Sequence, residues 1–390
     1  MHFAIGAAGA LAISLLFSRL SGETQGAAPA MAMIIGIASA SLAHFVSPWA
    51  TPVTLLLVVL SSLQELREFR APRPHRPSTK ESARDAPQAN RGNASARRPP
   101  ARLTGRGRRR QQRTGAIAMP TRSMNEDDPL EDFVPREITL DGITKVVHVA
   151  GAGPAVIVMT EMPGISPHVA RFSRWVRDAG FTVYMPSLFG RDGAVPTVEE
   201  GTAIFQRACV SAEFRAFAAN ASSPVTQWLR SLARLAHEEC GGPGVGAIGM
   251  CFTGNFALTM MLEPALLAPA LSQPSLPLDD PAGGEIAPDE LGAVRQRLER
   301  DDLTVMAYRF AGDRFCKAQR FAAYAEALGD RFIARVLPDS AANGDPLAPF
   351  FDQVVGCPHS VVTAHLIDEA GQPTLAARDE ILAFFASRLH

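Results

Sequence analysis

Cys251, Asp313 and His359 are residue types that can cooperate in acyl transfer, and each follows a glycine closely in the chain. Positions 245–258 read V-G-A-I-G-M-C-F-T-G-N-F-A-L. An apolar run leads through Gly249 into Cys251, and Gly254 opens a segment of helical character, which is the strand, sharp turn and helix of a nucleophile elbow. Such a turn strains the backbone at the nucleophile, so its neighbours must be small; Gly249 and Gly254 suit it, while Thr253 is bulkier than the usual glycine. A thiolate there is a strong nucleophile, and the helix N-terminus that follows favours ionisation. A buried cysteine between a core strand and a core helix carries the same pattern, so the partners decide between the two readings. A nucleophile needs a base, and the base needs an orienting acid. Residues 304–310 read as a strand ending in Ala311-Gly312-Asp313, which puts Asp313 at its carboxyl edge; the competing reading is a helix N-cap for a segment starting near Phe315. The downstream histidines are His359, His365 and His390. His390 is terminal, His365 lies in the apolar stretch 361–367, and His359 sits in a loop between the last strand and the closing helix, so His359 is preferred. Glu161 follows an apolar strand in Thr160-Glu161-Met162-Pro163-Gly164, an unusual place for a carboxylate unless it serves a site. The backbone amides of Met162 and Phe252 are then expected to face an oxyanion, each such donor contributing about 2.7–4 kcal/mol.

The elements that must position these residues are legible from 133 onward. Strands are expected at 143–150, 155–160, 181–186, 245–250, 304–310 and 332–337, with helical patterns at 168–179, 201–219, 224–239, 289–300 and 374–389. Alternation of this kind over the whole stretch predicts one α/β domain at 133–390, with a mostly parallel sheet and helices on both faces. The connection 338–358 is long enough to act as a lid or substrate-contacting loop, and 272–288 is a Pro- and Ser-rich loop of unassigned role.

Residues 1–63 are strongly apolar and read either as one or two membrane-associated segments, anchoring at the inner membrane with the catalytic domain in the cytoplasm, or as an over-extended translation start ahead of Met119 or Met124. Residues 64–132 are expected to be a disordered basic linker. The stretch 64–118 carries 15 Lys/Arg against four Asp/Glu, which leaves −12 for the rest of a chain whose net charge is −1. No aromatic residue interleaves with the arginines of its run 106–113, so no nucleic-acid partner is expected. Five scattered cysteines without a C-x-x-C pair indicate neither a disulfide framework nor a metal site, and no cofactor is expected.

Taken together, Glu161-Met162-Pro163-Gly164, Gly249-Met250-Cys251-Phe252-Thr253-Gly254, Gly312-Asp313 and His359-Ser360 resemble the dienelactone hydrolase family. The resemblance spans roughly 137–389 and implies the α/β-hydrolase fold, with a Cys251–Asp313–His359 triad and Glu161 as the carboxylate that pairs with the thiol. It implies hydrolysis of a small-molecule ester or lactone, of the carboxymethylenebutenolidase type. The segment Pro186-Ser187-Leu188-Phe189-Gly190-Arg191 looks like the family's Pro-Asp-Leu-Tyr-x-Arg, which makes Arg191 the expected clamp for a substrate carboxylate, although Ser187 and Phe189 replace the acid and the phenol. A second arginine of the family would fall near Thr363 and is missing. The sequence leaves two other classes open: an inactive scaffold with a binding role, in which Asp313 and His359 stand too far from Cys251 to interact, and a thiol-based redox or transferase role.

Overall fold

The computed structural model describes residues 122–390. The readings of 1–63 as apolar segments, and of the linker up to residue 121, lie outside the described residues. Eight strands form one sheet in the order β1-β2-β4-β3-β5-β6-β7-β8. They are β1 (Val134–Leu140), β2 (Ile143–Gly151), β3 (Ala155–Met159), β4 (Thr182–Pro186), β5 (Val245–Met250), β6 (Leu266–Ser272), β7 (Val305–Phe310) and β8 (Phe332–Leu337). Only β1/β2 and β2/β4 are antiparallel. From β4 through β3 to β8 every neighbour is parallel. In β3, β4, β5 and β7 every residue is buried, so these strands read as largely apolar runs, broken only by Thr182 and Arg309, as strands covered on both faces do. This is an α/β-hydrolase sheet.

Helices cover both faces. Pro167–Asp178 packs Val169, Phe172 and Val176, and Pro373–Leu389 packs Ile381, Phe385 and Leu389, into one core layer. Val225–Cys240 supplies Trp228, Leu229 and Leu232 to the other, joined by Pro288–Arg300 through Val294 and Leu298 and by Ala318–Leu328 through Phe321 and Tyr324. Ser166 starts the first of these helices by accepting a hydrogen bond from the Val169 amide, with Pro167 at the position where a missing N–H costs nothing. None of the helices among the described residues is long and apolar enough to cross a membrane.

Several elements depart from the sequence pattern. Strand β6 is absent from it because Pro269 interrupts the run; β6 nevertheless lies between β5 and β7, and its pairing with β7 begins only at Ala270, one residue past the proline that has no N–H to donate. Strand β1 went unread because its residues are mostly exposed, leaving little apolar alternation. The helical pattern at 201–219 is realised as Val198–Val210 alone. Ahead of position 133, Asp128 and Leu130 are buried, and Arg174 holds Asp128 and Asp132 together through four hydrogen bonds of 2.6–2.9 Å.

Candidate active site

The turn after β5 forces Cys251 to φ +53°, a left-handed conformation that an L-residue with a Cβ holds only under constraint. Its neighbours show why they are glycines. A Cβ on Gly249 would meet the Thr253 carbonyl, and one on Gly254 would meet the Pro274 backbone. Thr253, the apparent departure from a glycine, has a use: its Oγ1 accepts from the Met250 amide at 3.0 Å and reaches the Met159 and Thr160 carbonyls at 3.3 and 3.1 Å. One hydroxyl thereby ties the cysteine turn to the end of β3, where Glu161 and Met162 begin. The helix expected after the turn is broken into a 3-10 turn (Cys251–Thr253), a short helix (Phe256–Thr259) and a second 3-10 turn (Met260–Leu262), so the macrodipole available to the sulfur is smaller than a long helix would supply.

Asp313 follows β7 and His359 follows the long connection after β8; Asp313 Oδ2 and His359 Nδ1 stand 2.8 Å apart with both side chains out of solvent. The N-cap reading of Asp313 and the acid reading prove compatible, because its other oxygen accepts from the Phe315 amide at 2.8 Å and the Cys316 amide at 3.0 Å. Burial would raise this carboxyl, but the His359 charge and those amides outweigh it and hold the group below its ordinary range. Burial likewise disfavours a charged His359, yet the Asp313 carboxylate, with a further contribution from the Cys251 sulfur, lifts the imidazole well above its usual value. His359 Nε2 is buried without a hydrogen-bond partner. His365 acts on the loop instead, since its Nδ1 accepts from the Ser360 amide at 3.1 Å and so pins the segment that presents His359. Burial and the neighbouring His359 charge push it down to about 4, so it stays neutral.

Glu161 is buried at the carboxyl end of β3. Thr363 Oγ1 donates to its Oε1 at 2.5 Å and Gln273 Nε2 to its Oε2 at 3.2 Å. Burial raises its pKa against the opposing pull of Thr363, Ser360, the His359 charge and Gln273. Both oxygens are thus engaged by neutral groups, whereas the expectation was a carboxylate paired with the thiol. Thr363, at the place where a second arginine was missing, is one of those groups.

Cys251, His359 and Glu161 line one cavity of about 570 Å³ including its mouth. Met162 and Phe252, the expected oxyanion donors, line it too, as do Ser275, Ser360, Leu278, Phe205, Phe315, Phe350, Phe351, Val354 and Val355. The connection after β8 therefore contributes four wall residues, and the loop after β6 contributes Ser275 and Leu278. Arg191 is not brought to this cavity: more than half exposed, it pairs with Asp127 at 2.5 Å and Glu200 at 3.7 Å. The acidic partners come from 122–132 and from the helix Val198–Val210, neither of which sequence spacing places beside it.

Two residues at the site went unread. Ser275 donates its amide to the Cys251 carbonyl at 2.9 Å, and its hydroxyl lies 3.7 Å from Cys251 Sγ and 3.0 Å from the Gln273 carbonyl. Gln273, at φ +36°, bridges Glu161 to the Val361 amide. Its place immediately after a strand at the sheet's carboxyl edge was the available signal, and it was hidden because β6 itself was not recognised. Among the described residues no group of His, Cys, Asp or Glu is arranged to hold a metal ion.

Residues 143–273 match the model of the dienelactone hydrolase family, the family that the sequence motifs resemble. The matched segment carries Glu161, Met162, Arg191, Cys251 and Phe252 and stops before Asp313 and His359. Among solved structures, the chain is similar to a dienelactone hydrolase-like promiscuous phosphotriesterase from metagenomic libraries (17% identity, 66% of this chain and 100% of that one, TM-score 0.44). It is also similar to a putative dienelactone hydrolase from Klebsiella pneumoniae (16% identity, 65% and 98% covered, TM-score 0.42). A third is a thermophilic esterase from Thermogutta terrifontis (12% identity, 67% and 94% covered, TM-score 0.37). No curated protein matches the chain.

Proposed function

We propose, from the dienelactone hydrolase match over residues 143–273, that this protein hydrolyses an ester or lactone with Cys251 as nucleophile, His359 as base and Asp313 as orienting acid. The observation that supports this most is the buried Asp313–His359 pair, 2.8 Å apart, whose imidazole has an unpartnered Nε2 and lines the same cavity as the strained cysteine. With Nδ1 committed to Asp313, the nitrogen left to exchange protons is Nε2.

The chemistry follows from those positions. His359 Nε2 takes the thiol proton, and the raised imidazole pKa favours the resulting ion pair. The sulfur lone pair forms the S–C bond as the carbonyl π pair moves onto oxygen, where the Met162 and Phe252 amides are the donors proposed to receive it. The oxyanion collapses, the C–O bond to the leaving group breaks, and the imidazolium proton goes to the departing alkoxide. Water, deprotonated at the same nitrogen, attacks the thioester and releases the acid and the thiol. Glu161, held by Thr363 and Gln273, fixes the β3 end beside the sulfur in an environment that favours its neutral form. The test is turnover of p-nitrophenyl acetate by Cys251→Ala and Cys251→Ser. Loss of at least a thousandfold in the alanine variant is expected; undiminished turnover in both would rule the proposal out.

A further inference from the structure

We infer that the substrate is uncharged and apolar around the scissile carbonyl, and that the cavity discriminates against esters and lactones bearing a carboxylate; this rests on the hydrolase reading of Cys251. The cavity wall carries the inference. Phe205, Leu278, Phe315, Phe350, Phe351 and Val354 face the space around the sulfur, and none of the described residues lining it is a lysine or arginine. The one basic group among them is His359, whose charge is already matched by Asp313 at 2.8 Å. The other ionisable groups on the wall, Glu161 and the Cys251 thiol, are acids. A substrate carboxylate brought inside would lose its water and gain no cation.

Neither of the two positions at which the family resemblance places an arginine supplies a cation to this wall. Arg191 lies outside the cavity, engaged with Asp127 and Glu200. Thr363 is neutral and donates its hydroxyl to Glu161. What the wall does offer is aromatic edges. Phe315 packs on the His359 ring at a centroid distance of 5.2 Å, and Phe350 meets Phe351 edge-on at 5.8 Å. Gly201 leaves the space that the Phe350 ring fills, since any Cβ at position 201 would run into it. Such rings bury apolar area and favour aromatic or branched aliphatic groups of a ligand. A carboxylate left unpaired in a site of this kind bears its full desolvation penalty, so a preference of at least about 100-fold in kcat/KM for the uncharged ester is expected.

The experiment compares, on the full chain, p-nitrophenyl 4-isopropylbenzoate with p-nitrophenyl 4-carboxybenzoate, a pair of matched shape in which only one bears charge and the ring keeps that charge off its own ester. The expected result is a kcat/KM at least about 100-fold higher for the isopropyl ester. Val354→Arg, which adds a cation at the partly exposed edge of the wall, should raise the carboxylate-to-isopropyl ratio at least tenfold. Equal rates on the two esters, or a preference for the carboxylate, would overturn the inference while leaving the hydrolase reading intact. If the pair and p-nitrophenyl acetate are all left uncleaved, or are cleaved equally well by Cys251→Ala, the hydrolase reading itself fails and the inference with it.

Discussion

Replacing Asp313 with asparagine tests the link between buried geometry and chemistry most directly. The side chain does not choose its orientation freely: one oxygen accepts from two backbone amides, Phe315 at 2.8 Å and Cys316 at 3.0 Å, while the other meets His359 Nδ1 at 2.8 Å. Asparagine has a single carbonyl oxygen. The two amides demand that oxygen, because a buried NH2 facing two N–H donors would leave donors unsatisfied at about 1–3 kcal/mol each. The amide nitrogen is therefore directed at His359, whose Nδ1 must accept, and the ring proton is driven to Nε2. In that tautomer the nitrogen beside the cavity is a donor and cannot take the thiol proton. The imidazole also loses the carboxylate charge that raises its pKa. The expected loss in kcat is about 10³–10⁴, or roughly 4–5.5 kcal/mol at about 1.36 kcal/mol per tenfold. The assay is steady-state turnover of an activated ester from pH 5 to 9, with the His359 ring titration followed by NMR, which should move to lower pH, and thermal unfolding as a check on the fold. A folded variant that loses less than tenfold in kcat, or whose imidazole titrates as before, would refute the reasoning.

Thr253→Val keeps the shape but strands the buried Met250 amide, so denaturant unfolding should show a loss of about 1–3 kcal/mol; a change under about 0.5 kcal/mol would mean the hydroxyl does not clip the turn to β3. Gly249→Ala forces a Cβ against the Thr253 carbonyl, and overpacking against backbone is expected to cost about 1–3 kcal/mol or more and to reduce turnover together with stability. Glu285 is fully buried, and burial raises its pKa from 4.5 to about 8. The native state then holds a proton the unfolded state releases, so stability is lost as pH rises from about 4.5 to about 8, at up to about 1.4 kcal/mol per pH unit. Glu285→Gln should therefore unfold at a higher temperature than the unaltered protein at pH 9, with the gap closing toward pH 5; a gap independent of pH would contradict this.

Much of the candidate site was legible in the chain because its logic is local. The elbow announces itself through glycines whose missing side chains are required by a turn a few residues long, and Asp313 and His359 each lie past the carboxyl end of a strand, where the fold delivers catalytic groups. The same local logic makes β3, β4, β5 and β7 legible, since their largely apolar runs are what burial on both faces favours. Where a local rule was broken for a non-local reason, the pattern failed. Strand β6 holds a proline because its first residues need no partner on β7, and with β6 unseen, Gln273 and Ser275 had no place beside the sulfur.

Tertiary structure alone decided which polar groups meet. Thr363 reaches Glu161 across 202 positions of chain, and Arg191 is claimed by Asp127 across 64. Neither pairing has a periodicity or spacing to reveal it, because hydrogen bonds act over about 3 Å in space and take no account of separation along the backbone. The proposed nucleophile, base and acid could thus be picked out from the sequence, whereas the placement of Arg191 outside the cavity was decided only by the tertiary structure.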